Sequence, residues 1–378
     1  MNRNTIYRIT GTDHFSNATA LMKKADLASM IEEACPFKGK NARILVKPNL
    51  VSPTPARLGA TTHPQLVEAV IAYLKDEGFG NIVVAEGSWV GAKTEKSLDV
   101  CGYKDILKKY NVDFINTKKD DAVRVDCAGL SLLVCRCALD ADFIINIPVL
   151  KGHCQTRVTC ALKNMKGLIP DSEKRRFHTM GLHEPIAKLS LAVKQDFILV
   201  DHICGDPDCE DGGNPVTRNT LFACADPVLT DAYGCFLLGR EVGEVPYIGM
   251  AKELGTGSCD IQKARIITID SALEELADAS EKPLTADNRI VELSDAVEEV
   301  ESCSACYGYL IPALRRLDDE GLLEKLDEKI CIGQGFKGRT GAIGVGDCTE
   351  LFTCHIKGCP PVPDDIYKGL KAYILGKA

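Results

Sequence analysis

"ARILVKPNLV", residues 42–51, is an apolar run that stops at a Pro-Asn pair; it reads as a buried strand entering a turn. Downstream, "HPQLVEAVIAYLKDEG" (63–78) repeats apolar residues at helical spacing, with proline in its first turn and glycine at its end. "NIVVAEG" (81–87) then returns to a β-rich run. Strand, amphipathic helix, strand is a β-α-β unit, the connection that parallel strands require. Working outward, "VDFINT" (112–117) and "DFIINIPVL" (142–150) continue the strands, with "YKDILKKY" (103–110) as an intervening helix and "AVRVDCAGLSLLVCR" (122–136) as a β-hairpin. "GLHEPIAKLSLAVKQ" (181–195) leads into "DFILVDHICG" (196–205), again helix to strand, and "DPVLTDAYGCFLLG" (226–239) is a further helix. The expected fold is α/β: a mostly parallel sheet with helices on both faces, plus a small C-terminal cysteine-rich cluster-binding unit. Residues 1–270 form the main domain, the strongly acidic stretch 271–300 reads as a connector, and 301–378 form the C-terminal unit.

The chain has 378 residues, 45% hydrophobic and 26% charged, enough for more than one domain with its own core. A net charge of −8 argues against general affinity for nucleic acid or anionic membranes, both of which reward a basic surface. The first residues lack the continuous apolar core of a signal peptide, and no stretch approaches the roughly 20 apolar residues that span a bilayer. A soluble, cytoplasmic protein is expected. "GTGS" (255–258) and "GQGFKG" (333–338) complete no phosphate-loop fingerprint and read as ordinary turns.

Eighteen cysteines in a reducing compartment point to free thiols and metal thiolates rather than disulfides. The composition also fits an organism living without oxygen. Cys35, Cys101, Cys127, Cys135, Cys137, Cys160, Cys224 and Cys235 lie in apolar or helical patterns and read as small hydrophobes. The C-terminal group is different. "ESCSACYGYL" (301–310) pairs Cys303 with Cys306 at the start of a helix, and "GDCTELFTCHIKGCPP" (346–361) adds Cys348, Cys354 and Cys359. A structural zinc or a four-iron cubane needs four thiolates. The tail has no second C-x-x-C and no H-x3-H, which weakens zinc, and proline directly after Cys359 resembles the C-P ending of ferredoxin runs. One 4Fe-4S cluster on Cys303, Cys306, Cys348 and Cys359 is therefore expected. Zinc, a redox-active dithiol at Cys303 and Cys306, or plain packing are the alternatives. Cys354 is the reserve ligand, Cys331 reads as strand packing and His355 as a loop histidine.

"IINIPVLKGHCQTRVTCALKNMKGLIP" (144–170) ends a strand and then offers Lys151, His153, Arg157, Lys163, Asn164 and Lys166, while "ILVKPNL" (44–50) puts Lys47 and Asn49 at a second strand end. In open α/β sheets ligands bind beyond the carboxyl ends of strands. Lysines converging there suit a carboxylate or phosphate. Lys151, His153 and Asp201 are the candidate catalytic residues; Lys47, Asn49, Lys163, Asn164 and Lys166 are the candidate substrate-binding residues. Asp201 and His202 lie at another strand end, so acid and base are expected to meet in one cleft. Arg157 reads as a surface residue. Asp226 reads equally as a helix N-cap or as a functional acid, with Asp231 close by.

Taken together, these strands, the K-x-H and KN-x-K-G motifs and "DPVLTDAYG" (226–234) resemble the domain of unknown function 362 family over roughly residues 40–245. The resemblance implies iron-sulfur segments and a redox-linked role; it names no substrate. The chain departs from the pattern at "GDPDCEDGGNP" (205–215), around Cys209. The expected function is an iron-sulfur, redox or cluster-assisted enzyme acting on a small anionic metabolite. The alternatives are an electron carrier that docks a redox partner protein and a non-redox enzyme with a structural metal. The oligomeric state is not legible.

Overall fold

The computed structural model describes residues 1–276, 282–284 and 289–376. Its strands, in chain order, are β1 (Thr5–Thr10), β2 (Ile44–Pro48), β3 (Ile82–Glu86), β4 (Asp113–Asn116), β5 (Ala122–Cys127), β6 (Leu130–Cys135), β7 (Phe143–Ile147), β8 (Lys151–His153), β9 (Arg157–Thr159), β10 (Phe197–Gly205), β11 (Val216–Cys224), β12 (Arg265–Thr268), β13 (Val297–Glu299), β14 (Ile330–Ile332), β15 (Ile343–Val345) and β16 (Cys354–Ile356). Eight of them form one sheet in the order β12-β1-β11-β10-β7-β2-β3-β4. Of its described strands, β11 alone runs against both neighbours, so the sheet is mostly parallel, as expected.

The strands read as continuous apolar runs because both faces of the sheet are covered. Side chains alternate between two cores: Leu45, Val83, Ile144, Ile198 and Val200 on one face, and Ile44, Val46, Val84, Ile145, Phe197 and Leu199 on the other. Burying each such side chain contributes about 1.5–3 kcal/mol. The helix Pro64–Asp76 has proline in its first turn and packs Leu66, Val67, Val70, Ile71 and Leu74 onto the second core. The chain leaves it through Gly78, whose φ of 85° only glycine adopts without strain. The hairpin of β5 and β6 turns through Ala128 and Gly129, both at positive φ, which matches the twist of a two-residue hairpin turn.

The C-terminal unit is a parallel four-stranded sheet, β13-β14-β15-β16, packed against the helices Ser304–Asp319 and Pro363–Ile374. Its core joins Leu310, Leu314, Ile330, Ile332, Ile343, Val345, Ile366 and Leu370. The acidic stretch 271–300 is not wholly a connector. Its described residues include the helix Arg289–Ser294 and β13, which pairs with β14, so the unit begins before residue 301. Cys154 and Cys209 of the main domain belong to this C-terminal core, and Arg315 pairs with Asp208 at 3.0 Å. The two units are thus packed together through the loop that follows β10.

The eight cysteines read as hydrophobes are all buried. Cys331 is not: it sits half-exposed on β14, beside Glu298. Among the described residues no helix is long and apolar enough to cross a membrane.

Candidate functional site

The chain runs from β2 to β3 and β4 on one side, then returns to place β7 and β10 on the other side of β2. The order reverses between β2 and β7, the point where crevices open in such sheets. A cleft with about 620 Å³ of empty space, its open mouth included, lies beyond the carboxyl ends of β2, β3 and β7. Asn49, Lys151, His153, Lys163, Asn164 and Lys166 all line it. So do Glu86, Trp89, Lys174, His178 and Glu210, none of which the sequence singled out.

Two of the expected residues lie elsewhere. Lys47 is fully buried beneath the cleft, where its Nζ donates to Glu86 at 2.6 Å and to the Pro48 carbonyl at 2.8 Å. Burial lowers its pKa, and Glu86 opposes that shift. Asp201 does not join the acid–base set. Its carboxylate accepts from the His63 backbone N at 2.7 Å and faces His63 Nδ1 at 2.9 Å. Burial works against the charge of both groups, but their pairing overcomes it, holding Asp201 low and raising His63 to about 10. The reason is strand parity. Lys47 shares a face with Leu45, whereas Asp201 shares the opposite face with Phe197 and Leu199. Asp226 and Asp231 also lie outside the cleft. Asp226 caps the helix Pro227–Leu237 through Val228 N and Leu229 N, and Asp231, raised to about 7 by burial, accepts from Ala161 N at 2.6 Å. Arg157, expected at the surface, is half-buried on β9 at a φ of 65°.

The floor of the cleft is a run of buried amides. Asn49 donates to Asn164 at 3.0 Å, Asn164 to Asn146 at 2.7 Å, and Asn146 to Gln195 at 2.6 Å. Asn49 and Asn164 therefore spend much of their hydrogen-bonding capacity on each other. Gly167 is required above Lys47, because a Cβ there would meet Glu86 Oε1 at 2.0 Å and Lys47 Nζ at 2.6 Å.

The walls are cationic. Lys151 Nζ donates to the Ala60 and Glu210 carbonyls, which leaves one of its three protons for a ligand. Lys174 Nζ holds the Gly87 and Ser88 carbonyls at 2.8 and 3.0 Å. Burial lowers Lys151 and Lys163 to about 7 and Lys166 and Lys174 to about 8; the mutual repulsion of Lys151, Lys163, Lys166 and Lys174 adds to it for the first three. His153 Nδ1 accepts from Gln155 N at 3.0 Å and Thr156 N at 3.3 Å. A neutral ring then carries its proton on Nε2, which faces Glu210 Oε1 at 3.5 Å. Burial and the nearby lysines hold this histidine well below its usual range. His153 is thus a neutral donor in the cleft. Four buried atoms of the lining have no hydrogen-bond partner among the described residues: His153 Nε2, Thr159 Oγ1, His178 Nδ1 and Glu210 Oε1. Buried polar atoms are normally satisfied, so this convergence makes the cleft the candidate ligand site.

Glu210 comes from the loop at the sequence's departure point. Asp206 folds that loop by accepting from Asp208 N, Cys209 N and Asn214 N. The C-terminal unit closes the cleft from above. Ser304, the first residue of the helix Ser304–Asp319, lines the cleft and donates to Gln155 Oε1 at 2.9 Å, and Trp89 packs edge-on against Tyr309. The amino end of a long helix adds positive potential there.

Cys303 caps that helix. Cys306 lies one turn on, and Gly346, at a φ of 92°, passes close to its sulfur. Gly358 N donates to Asp347 Oδ1 at 2.7 Å and Asp347 N to the Gly358 carbonyl at 3.0 Å, which ties the Cys348 loop to the Cys359 loop. Burial raises the pKa of Cys303, Cys306 and Cys348, and thiols of the same four-cysteine set raise it further. Cys354 is raised by burial alone and stands apart on β16, as does His355. Lys166 lies within electrostatic reach of Cys303, so the thiols adjoin the cleft. Among the described residues no group of three or more His, Cys, Asp or Glu side chains is gathered tightly enough to hold a single metal ion.

A family model described as domain of unknown function (DUF362) matches residues 44–236, the segment that carries most of the cleft. A thylakoid-associated protein of Synechocystis sp. is 24% identical over 223 residues, 56% of this chain and 68% of that protein. Among solved structures, the lactate racemase apoprotein of Thermoanaerobacterium thermosaccharolyticum aligns over 62% of this chain and 58% of its own, at 14% identity and a TM-score of 0.39. A Thermotoga maritima protein aligns over 51% and 54%, at 15% identity and a TM-score of 0.33.

Proposed function

The chain belongs to the DUF362 family, and from that premise we propose that it is an iron-sulfur protein whose cleft binds a small anionic metabolite beside a four-iron, four-sulfur cluster on Cys303, Cys306, Cys348 and Cys359. The activity is redox or cluster-assisted catalysis, in the cytoplasm. One observation carries this reading: the helix that Cys303 caps and that contains Cys306 also supplies Ser304 to the cleft wall, so two of the four thiols and the cationic pocket share one structural element.

The donor set fits such a group. Cys303 and Cys306 lie near enough to Cys348 and Cys359 for the thiols to raise one another's pKa, and a cubane takes four thiolates, one on each iron. A bound cluster supplies single electrons or a Lewis-acidic iron. The chain's own residues do the rest. Lys151, Lys163 and Lys166 hold the anion, His153 donates from Nε2, and Trp89 with the C-terminal unit keeps water out. The solvent exposure of Cys359 favours a second reading, an electron carrier that meets an acidic redox partner at this edge. The cleft, with its unpartnered polar atoms, favours the enzyme.

The test is Lys151→Ala. Losing one charge-assisted hydrogen bond costs about 1.5–3 kcal/mol, roughly ten-fold or more in affinity. Trp89 is the chain's single tryptophan and lines the cleft, so its fluorescence reports sulfate binding directly. Sulfate affinity should fall while the cluster absorbance stays unchanged; an unchanged affinity overturns the assignment.

A further inference from the structure

The cleft's cations are not equivalent. Lys151 and Lys174 are tied to backbone carbonyls, Lys47 to Glu86, and Lys166 lies over the Phe177 ring at 5.8 Å. Lys163 lines the same cleft and makes no hydrogen bond or ion pair with any described residue. It shares this lining with the apolar Val51, Trp89 and Val90 and with His153 Nε2 and Glu210 Oε1, which accept or donate no hydrogen bond among the described residues. A lysine attacks a carbonyl only as the neutral amine, and a dry pocket beside other cations is the setting that releases its proton.

We propose that Lys163 is a nucleophile that forms an imine with the carbonyl of a 2-oxo acid, whose carboxylate rests on Lys166 and the amino end of the helix Ser304–Asp319. This rests on the anion-cleft reading above and is independent of the cluster. Burial, and then the charge of Lys166, lower Lys163 to about 7; Glu210 and Cys154 pull the other way, but no acceptor among the described residues takes a hydrogen bond from its Nζ. Lys151 has a similar value but donates to two carbonyl acceptors, and its ammonium form is the proton source.

The step balances without an oxidant or a reductant. The Lys163 Nζ lone pair forms the N–C bond as the carbonyl π pair moves onto oxygen. One amine proton shifts to that oxygen by way of the Glu210 carboxylate. A second proton comes from the Lys151 ammonium. Water then leaves with the C–O bonding pair as the nitrogen pair closes the protonated imine. His153 Nε2–H donates to the oxygen while it carries charge.

The experiment incubates the full chain with pyruvate and sodium cyanoborohydride, which reduces an imine to a stable secondary amine, and maps the carboxyethyl group by peptide mass spectrometry. Labelling at Lys163 should exceed that of any other lysine by about ten-fold or more, as expected for an unpartnered cleft amine with a lowered pKa. Lys163→Met should abolish the dominant label, and Lys108→Met, on an exposed helix position, should leave it in place. Label spread evenly over surface lysines, or retained elsewhere in the cleft in Lys163→Met, overturns the proposal. Sulfate titration of the same preparation by Trp89 fluorescence separates the two claims. Sulfate binding without Lys163 labelling sinks the imine alone; no sulfate binding sinks the cleft reading and the imine with it.

Discussion

Raising the pH should strip the cleft of its affinity for sulfate, a probe that stays a dianion throughout. Lys151 and Lys163 have pKa values of about 7, and Lys166 of about 8. A lysine is charged below its pKa, and an anion binds the charged form, so affinity is full below about pH 7 and falls as the pH rises through both values. Each proton that binding must recover costs about 1.36 kcal/mol per pH unit above the pKa. Between about pH 7 and about pH 9, Lys151 alone accounts for about 2.7 kcal/mol, a hundred-fold loss, and Lys166 for about ten-fold more. The assay is Trp89 fluorescence against sulfate at each pH, with ionic strength held constant because screening also weakens such binding. An affinity that is flat or rises over this range would refute the reasoning, since the lysines would then be ordinary solvated ammoniums or would not touch the anion.

Glu86→Gln keeps the side-chain shape but leaves the buried Lys47 ammonium without its counter-charge, at a cost of about 3–5 kcal/mol of stability. Urea unfolding measures it, and a loss below about 1 kcal/mol would mean that Lys47 rests as a neutral amine. Serine at Cys303, Cys306, Cys348 or Cys359 should each remove the cluster absorbance, whereas Cys354→Ser should spare it; the reverse result at Cys354 and Cys348 would exchange those two as ligands. His153 should keep a neutral Nε2–H ring from about pH 5 to about pH 8 in imidazole ¹⁵N spectra, because two backbone N–H groups already occupy Nδ1. Imidazolium shifts within that range would contradict the assigned tautomer.

The parallel sheet was legible because strand and helix periodicities differ, and "ARILVKPNLV" against "HPQLVEAVIAYLKDEG" shows both cleanly. The strand-end rule also found Lys151 and His153. Applied to "NIVVAEG" it would have found Glu86 as well, which ends β3 just as Lys47 and Pro48 end β2. Asp201 was misplaced because a strand-end position says nothing about which face a side chain takes, and parity with Phe197 and Leu199 puts it on the far side. Lys174 and His178 carried no signal. They lie in "DSEKRRFHT", which resembles a solvated charged helix, but Lys174 is buried against the Gly87 and Ser88 carbonyls and His178 against Ser304 of the C-terminal unit. Glu210 was hidden in a loop that matches no pattern, and its approach to His153 depends on Asp206 folding that loop. Contacts between distant segments set these positions, and periodicity within a segment does not encode them.

The central claim, a redox cluster seated against an anion cleft, is tested most directly by measuring iron, acid-labile sulfide and zinc on protein prepared without oxygen. The account expects about four irons and four sulfides per chain, with zinc well below stoichiometry. Stoichiometric zinc with no labile sulfide would contradict it.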